Sequence, residues 1–418
     1  MRQRPTARGW ALAAAGLVAL QVGIGLGSLD LVRIGVLLLA LPVVAFGVAV
    51  AVDATHGRRG LAVRRSVLPD PVHAGEESQV EVEVSATDRA GRARLAGLRF
   101  SEQAAVELSG GRALRARVVR RPERASVRYT VRASRRGRWP LGPLVVTRVD
   151  TFGVVRSRAT LGDETQVAVW PAVAALPAPS DVLVGEPDRV ALGARTPSTD
   201  DAHLRDYREG DDLRRVHWRS SARRGSLLVR SDERAGLRPV TVLLDLPVRA
   251  SAAEWTISLT ASMALAMLEA GHPVRLAGAG VAPGGGSGAS PFVHARSGPE
   301  SRAALLDLTI DLEPARSAPE GEAALVDAVR VLSTSQTGGE IVLATLGPLS
   351  PAARAGLAHL GDAAQAWAVV REDGRTSGDA RDAHATVLAL RRAGWRAVQV
   401  TTGADLQDCW LELLGGAR

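Results

Sequence analysis

Asp211, His217 and Ser221 are the residue types of a hydrolytic triad, and they lie within one short segment. His217 and Ser221 are four apart and share a face if the segment is helical. A working triad also needs an oxyanion hole and a base oriented by a third group. Nothing nearby in sequence supplies these, so a hydrolase using Asp211, His217 and Ser221 is the alternative reading. Asp245 is a second candidate. It ends the apolar run Val240–Leu244, and ligands of open α/β sheets bind beyond the carboxyl ends of strands. A third is Gly278-Ala279-Gly280, continuing to Gly284-Gly285-Gly286. No Lys follows it, and no helix with apolar spacing starts directly after it. A flexible hairpin loop accounts for it better than a nucleotide loop.

Composition narrows the chemistry further. The chain has 418 residues, a net charge of +8 and no Lys, so all 52 basic residues are Arg. That excludes a Schiff-base Lys, a Lys general base and the phosphate-binding Lys of a P-loop. Arg stays protonated and offers electrostatics and bidentate binding only. The single cysteine, Cys409, excludes an internal disulfide and a Cys-rich zinc site. Acidic residues are interspersed with the arginines and aromatics are only 3%, which argues against nucleic acid as a partner. An anionic-surface binding module remains a second alternative.

The elements that must position these residues follow from periodicity. Trp10 to Leu29 and Ile34 to Val52 are two apolar runs, each close to the roughly 20 residues that cross a bilayer. Only a short link, with Asp30 and Arg33, separates them, so residues 1–56 read as a two-helix membrane anchor. Arg2, Arg4 and Arg8 precede it, and Arg58, Arg59, Arg64 and Arg65 follow it. The positive-inside rule puts both flanks in the cytoplasm, in a multi-pass cell-membrane protein with two spans. The four following arginines are also candidates for lipid contact. The rival reading is a signal peptide cleaved near residue 27.

From residue 57 to 175 the period is two. Val80 to Val84, Leu114 to Val118 and Val127 to Val131 alternate apolar with polar, and Leu144 to Val146 is a further strand. This predicts a β-sandwich-like domain. From 238 to 418, buried strands alternate with helices. Strands are expected at Val240–Asp245, Val274–Ala277, Ile341–Leu346, Ala366–Val370 and Ala397–Val400, with Phe292–Ala295 as a hairpin partner of the second. That order predicts a mostly parallel, Rossmann-type α/β sheet covered on both faces. Residues 176–237 are left as a linker and junction.

The junction runs from His203 to Arg223, dense in both charge signs, with Tyr207 and Trp218 among the charges. Asp211 or Asp212 can cap a short helix through Trp218, after a turn at Gly210. This stretch resembles the hallmark of the domain of unknown function 58 family, an Arg-x-Tyr-x-x-Gly-Asp-x-x-Arg-x-Ile/Val-x-Trp-x-x-Ser/Thr-Ala-Arg pattern. Arg205, Tyr207, Gly210, Asp211, Arg214, Val216, Trp218, Ser221, Ala222 and Arg223 fit it. Arg135-Arg136-Gly137-Arg138, Leu141-Gly142-Pro143 and Asp150-Thr151-Phe152-Gly153 resemble a second family run, with Trp139 and Thr151 as departures.

The resemblance implies a von Willebrand factor type A-like fold from about residue 238 onward. Such domains often hold a divalent ion through Asp-x-Ser-x-Ser. Here the run is Asp245-Leu246-Pro247-Val248-Arg249, and only the Asp survives. A hard cation needs several oxygens, so a degenerate site with no metal is expected, and no other cofactor. Relatives are typically encoded near MoxR-type AAA+ ATPases and transglutaminase-like membrane proteins, which the resemblance implies as partners beside the lipid bilayer. The expected function is a membrane-anchored, non-enzymatic scaffold or adaptor in protein-complex assembly or an envelope-related task. The expected domain-junction or partner-binding residues are Arg205, Asp206, Tyr207, Gly210, Asp211, Asp212, Arg214, His217, Trp218 and Arg223. In this reading the Arg and Asp residues pair, and Tyr207 and Trp218 bury large area.

Overall fold

The computed structural model describes residues 2–56, 60–177, 204–206, 218, 221–222, 225–230, 238–281, 286, 288–295, 298–335, 340–363, 365–372 and 377–415. The chain divides into two compact units, 1–172 and 173–418.

The first unit begins with strand β1 (Arg2–Pro5), then helices α1 (Ala7–Gly25) and α2 (Leu29–His56). Thr6 caps α1: its hydroxyl oxygen accepts from the Gly9 N–H at 3.2 Å. Ala7–Gly25 and Leu29–Ala51 are long and apolar enough to cross a membrane, and only 17% and 11% of those windows is buried within the protein. The chain turns at Leu26–Ser28, where Gly27 has φ 67°. Asp30 and Arg33 therefore fall in α2 rather than in the link between the helices. The two helices meet along a seam of small residues. Gly16 and Gly23 of α1 are buried against α2, Gly9 is buried against the Val154 backbone instead, and a Cβ on Gly35 of α2 would lie 2.7 Å from the Leu20 nitrogen. Small residues that let backbones approach are the usual means of joining membrane helices.

Three sheets follow. The first is β2 (Leu61–Leu68), β4 (Glu77–Ala86), β7 (Arg124–Arg132) and β6 (Arg117–Arg120), in the order β2-β4-β7-β6. The second joins β5 (Arg99–Ser101), β9 (Leu144–Val149) and β10 (Val155–Leu161) to the N-terminal strand, in the order β1-β10-β9-β5. The third is β3 (Val72–His73), β11 (Thr165–Trp170) and β8 (Gly137–Leu141). Helices α3 (Arg89–Gly97) and α4 (Val106–Ser109) lie in the connections. Alternation decides which residues turn inward. Val80, Val82 and Val84 of β4 and Val127, Tyr129 and Val131 of β7 share one core with Leu144, Val146, Ala159 and Leu161 of the second sheet. The strand expected at Leu114–Val118 starts three residues later, and its four side chains are all exposed. Val118 and Val119 are 40% and 47% exposed, so its alternation has no buried face.

The core also encloses a charge. Arg65, expected as a lipid contact, is instead buried: its Nη2 donates to Glu102 Oε1 at 2.8 Å and its Nη1 to the Asp163 carbonyl at 2.8 Å. Both side chains are 4% exposed. Arg58 and Arg59 lie outside the described residues, and Arg64 is exposed.

The second unit carries a two-stranded ribbon, β12 (Leu204–Asp206) and β13 (Leu228–Arg230). Its main sheet is built from β14 (Val240–Leu244), β15 (Val274–Gly278), β16 (Gly288–Ala289), β17 (Ile341–Leu346), β18 (Gln365–Glu372) and β19 (Arg396–Thr401). The order is β16-β15-β14-β17-β18-β19, parallel throughout except at β16. Helices α5 (Ala250–Glu269), α6 (Pro299–Ile310), α7 (Ala318–Ser335), α8 (Pro351–Ala363), α9 (Ser377–Arg392) and α10 (Leu406–Gly415) alternate with the strands. Every residue of β14, β15 and β17 is buried, as two-sided cover requires. The expected hairpin partner at Phe292–Ala295 is displaced: the paired strand is Gly288–Ala289, with a single bridge from Val293 to Val274.

Candidate functional site

Strand order reverses between β14 and β17, which makes the carboxyl ends of those strands the crevice of the sheet. Asp245 stands there, one residue past β14. Its N–H donates to the Thr345 carbonyl at 3.0 Å, which keeps the backbone in register with β17. Its Oδ2 accepts from the Gly347 N–H at 2.9 Å, at the end of β17. The same oxygen accepts from Arg371 Nη2 at 2.9 Å, while Arg371 Nη1 donates to the Asp245 carbonyl at 2.9 Å. The Arg371 and Asp245 side chains are 5% and 9% exposed. Gly347 must be glycine for this arrangement: a Cβ there would lie 2.7 Å from Arg371 Nη2 and 3.0 Å from Asp245 Oδ2.

The crevice therefore supplies its own cation. A divalent ion needs several oxygen donors. Leu246, Pro247 and Val248 bring no side-chain oxygen, and Asp245 Oδ2 already accepts two hydrogen bonds. The residues present do not fit a metal centre. Among the described residues no group of three His, Cys, Asp or Glu is placed to hold one.

Beside this closed crevice lies an open groove of about 670 Å³. Gly280 follows β15, and Asp311, Glu313, Arg316, Glu320 and Asp327 line the rest, so carboxylates outnumber cations. The groove adjoins the loop after β14 through the Ala315 N–H, which donates to the Pro247 carbonyl at 3.2 Å.

Of the junction residues, Arg205 and Asp206 pair through the backbone of β12 with Val229 and Leu228. Trp218 is helical and 64% exposed, which corrects the expectation that it buries large area. Ser221 is helical and 8% exposed, and the Gly225 N–H donates to its carbonyl at 2.9 Å. A buried hydroxyl is poorly placed to attack a substrate. Tyr207, Gly210, Asp211, Asp212, Arg214, His217 and Arg223 lie outside the described residues, and so do the ion pairs expected of them.

Sequence reasoning named Asp245 but missed Arg371 and Gly347. A signal for Arg371 exists: it continues the apolar run Ala366–Val370 as a charged residue inside a buried strand. Nothing in the linear pattern says that it answers an aspartate 126 residues away.

Residues 203–332 match the family model described as protein of unknown function DUF58. No curated protein matches the chain significantly. Among solved structures, the PilB minor pilin from Streptococcus sanguinis is 10% identical and covers 76% of this chain and 87% of its own. Its TM-score of 0.29 is too low to carry a fold assignment.

Proposed function

We propose that this DUF58 family protein is a membrane-anchored, cytoplasm-facing, non-enzymatic scaffold or adaptor. It works with a MoxR-type AAA+ ATPase in protein-complex assembly or an envelope-related task. The observation that carries this reading is the Asp245–Arg371 pair. In an open α/β sheet the crevice at the strand reversal is where a ligand sits, and here an internal guanidinium fills it. What the carboxyl edge then offers outward is a recognition surface, the acidic groove beside it. Trp218, an aromatic 64% exposed within the family motif, is a second such feature.

The anchor reading draws on the hairpin of α1 and α2. Strand β1, before the hairpin, pairs with β10, after it, so both flanks belong on one side of a membrane. Arg8 and Arg64 on those flanks favour the cytoplasmic side. A cleaved leader would remove β1 from its sheet and the glycine seam from the helix pair. The strand order β16-β15-β14-β17-β18-β19, with its antiparallel edge, supports a von Willebrand factor A-like reading of the second unit. A transglutaminase-like membrane protein as a further partner rests on the family resemblance alone.

The test is affinity purification of the tagged full-length chain from detergent-solubilised membranes. An AAA+ ATPase should co-purify with wild type and fall at least tenfold with Trp218→Ala, at an unchanged melting temperature. Labelling of Ser221 by a fluorophosphonate probe, lost in Ser221→Ala, would overturn the scaffold reading in favour of a hydrolase.

A further inference from the structure

The sheet β1-β10-β9-β5 carries six arginines, Arg2, Arg4, Arg99, Arg148, Arg156 and Arg158, and no Asp or Glu. Its register sets like charges against each other. Arg4 is directly opposite Arg156, Arg2 is opposite Arg158, and Thr147 lies between Arg158 and Arg99. Like charges directly opposite destabilise a sheet. Arg4, Arg99, Arg148, Arg156 and Arg158 are exposed, and none pairs with an acidic side chain among the described residues. The fold gains nothing from this array, so its use lies in what it meets.

The array stands at the root of the helix pair. β1 runs into α1 through Thr6, whose N–H donates to the Val154 carbonyl at 2.8 Å and whose hydroxyl donates to the Gly153 carbonyl at 2.5 Å. The family-like turn Asp150–Gly153 is thereby fastened to the start of the helix. At about 3.3 Å per residue, Arg4 lies about 7 Å from Thr6 and Arg2 about 13 Å. The headgroup layer is roughly 5–7 Å deep on each side of a bilayer, and screened attraction reaches about 8 Å further. Trp10 and Phe152, 67% and 60% exposed, bracket the same level, where aromatic side chains seat at a membrane interface.

Between the turn and α2 lies a cavity of about 160 Å³. Leu41, Val44 and Val48 of α2 supply its apolar wall, and Arg148 and Asp150 stand with them. Asp150 is already engaged: its carboxylate accepts from the Phe152 N–H at 3.0 Å and the Val155 N–H at 2.6 Å. Arg148 pairs in register with Ser157, so it stands on the cavity face of the sheet, opposite to Arg4 and Arg156.

We propose that the outward face of the sheet β1-β10-β9-β5 is a binding face for anionic phospholipid, with the phosphate held by Arg4, Arg156 and Arg158. The proposal rests on the membrane-anchored reading. The occupant is lipid rather than an acidic protein or a nucleic acid because the array is continuous with a helix pair apolar enough to lie in a bilayer.

The experiment has two arms on the full-length chain. The first is carbonate extraction of cell membranes, which reads anchoring alone. The second titrates the detergent-solubilised protein with phosphatidylglycerol or phosphatidylcholine and counts bound lipid by native mass spectrometry. Wild type should hold phosphatidylglycerol in preference to phosphatidylcholine. Affinity should fall roughly fivefold per arginine removed, on the order of a hundredfold for Arg4→Gln/Arg156→Gln/Arg158→Gln. Arg124→Gln/Arg128→Gln, on the charge-paired sheet, should leave it unchanged. Release of the chain by carbonate removes both the anchor and the proposal. A chain that resists carbonate yet shows no preference, or keeps it in the triple variant, overturns the proposal alone. So does tighter binding of polyglutamate or duplex DNA than of phosphatidylglycerol.

Discussion

The two four-stranded sheets of the first unit share one core and the same alternation, yet they treat charge in opposite ways. In β2-β4-β7-β6, outward arginines meet glutamates: Arg128 Nη2 lies 2.9 Å from Glu81 Oε1 and Arg124 Nη1 3.8 Å from Glu83 Oε1. In β1-β10-β9-β5, arginine faces arginine. Alternation alone puts the apolar residues inward in both, so the fold does not require the charges of the second sheet. The lesson is that a charge with an internal partner reports on folding, whereas an array without one reports on a partner outside. The second unit follows the first pattern. Arg371 answers Asp245, and Arg275 Nη2 answers Glu340 Oε1 at 3.0 Å.

The strongest way to test the internally answered class is to remove one member of a buried pair. Arg371→Ala leaves the Asp245 carboxylate in a site nearly closed to water. The expected cost is about 3–5 kcal/mol of stability in the second unit. Hydrogen exchange of peptides from β14, β17 and β18 should read it. The double variant Asp245→Ala/Arg371→Ala should recover part of the loss, since it strands no charge. A loss below about 1 kcal/mol in the single variant would move this pair into the class of exposed, weakly coupled charges.

A pH experiment sharpens the same point inside the β-rich unit. Burial raises the Glu102 carboxyl above its ordinary 4.5, outweighing the attraction of Arg65. The folded state thus holds the proton more tightly than the unfolded state. This contribution to stability is full below pH 4.5 and is lost as pH rises through the folded-state value. The stability of wild type relative to Glu102→Gln should therefore decline with rising pH across that window. An increase would show that the pair with Arg65 dominates after all.

What could be read from the sequence follows the range of the interactions. The strands β14, β15, β17, β18 and β19 announce themselves as apolar runs between helices, and β4 and β7 by alternation over adjacent residues. β1 does not: Arg2–Pro5 is too short for a period, and its partner β10 lies some 150 residues away. The arginine array is assembled by that pairing, so no local pattern contains it. Arg65 shows the converse. Its neighbours Arg58, Arg59 and Arg64 suggested one basic flank, but its place in β2 turns it toward Glu102 and the core. Asp245 was legible as the end of a strand, and Arg371 was not legible as its partner. The domain-junction residues that carried the family resemblance remain mostly outside the described residues, so their pairing is still a sequence argument.

The smallest expected effect is the one that separates the two sheets most sharply, because it changes sign. Arg128→Gln removes an exposed pair with Glu81 and should cost up to about 1 kcal/mol in any neutral or anionic lipid. Arg156→Gln removes a like-charge contact with Arg4, so in zwitterionic lipid it should stabilise the β-rich unit by about 0.2–1 kcal/mol. In anionic lipid the same substitution forfeits an attraction of about 1 kcal/mol and should destabilise. Thermal unfolding of the full-length variants in nanodiscs of the two compositions reads both values. An arginine kept for folding gives a loss in both lipids, as Arg128 should. An arginine kept for a membrane gives a gain in one and a loss in the other. If Arg156→Gln destabilises equally in both, then Arg156 has an internal partner, and the contrast between the sheets dissolves.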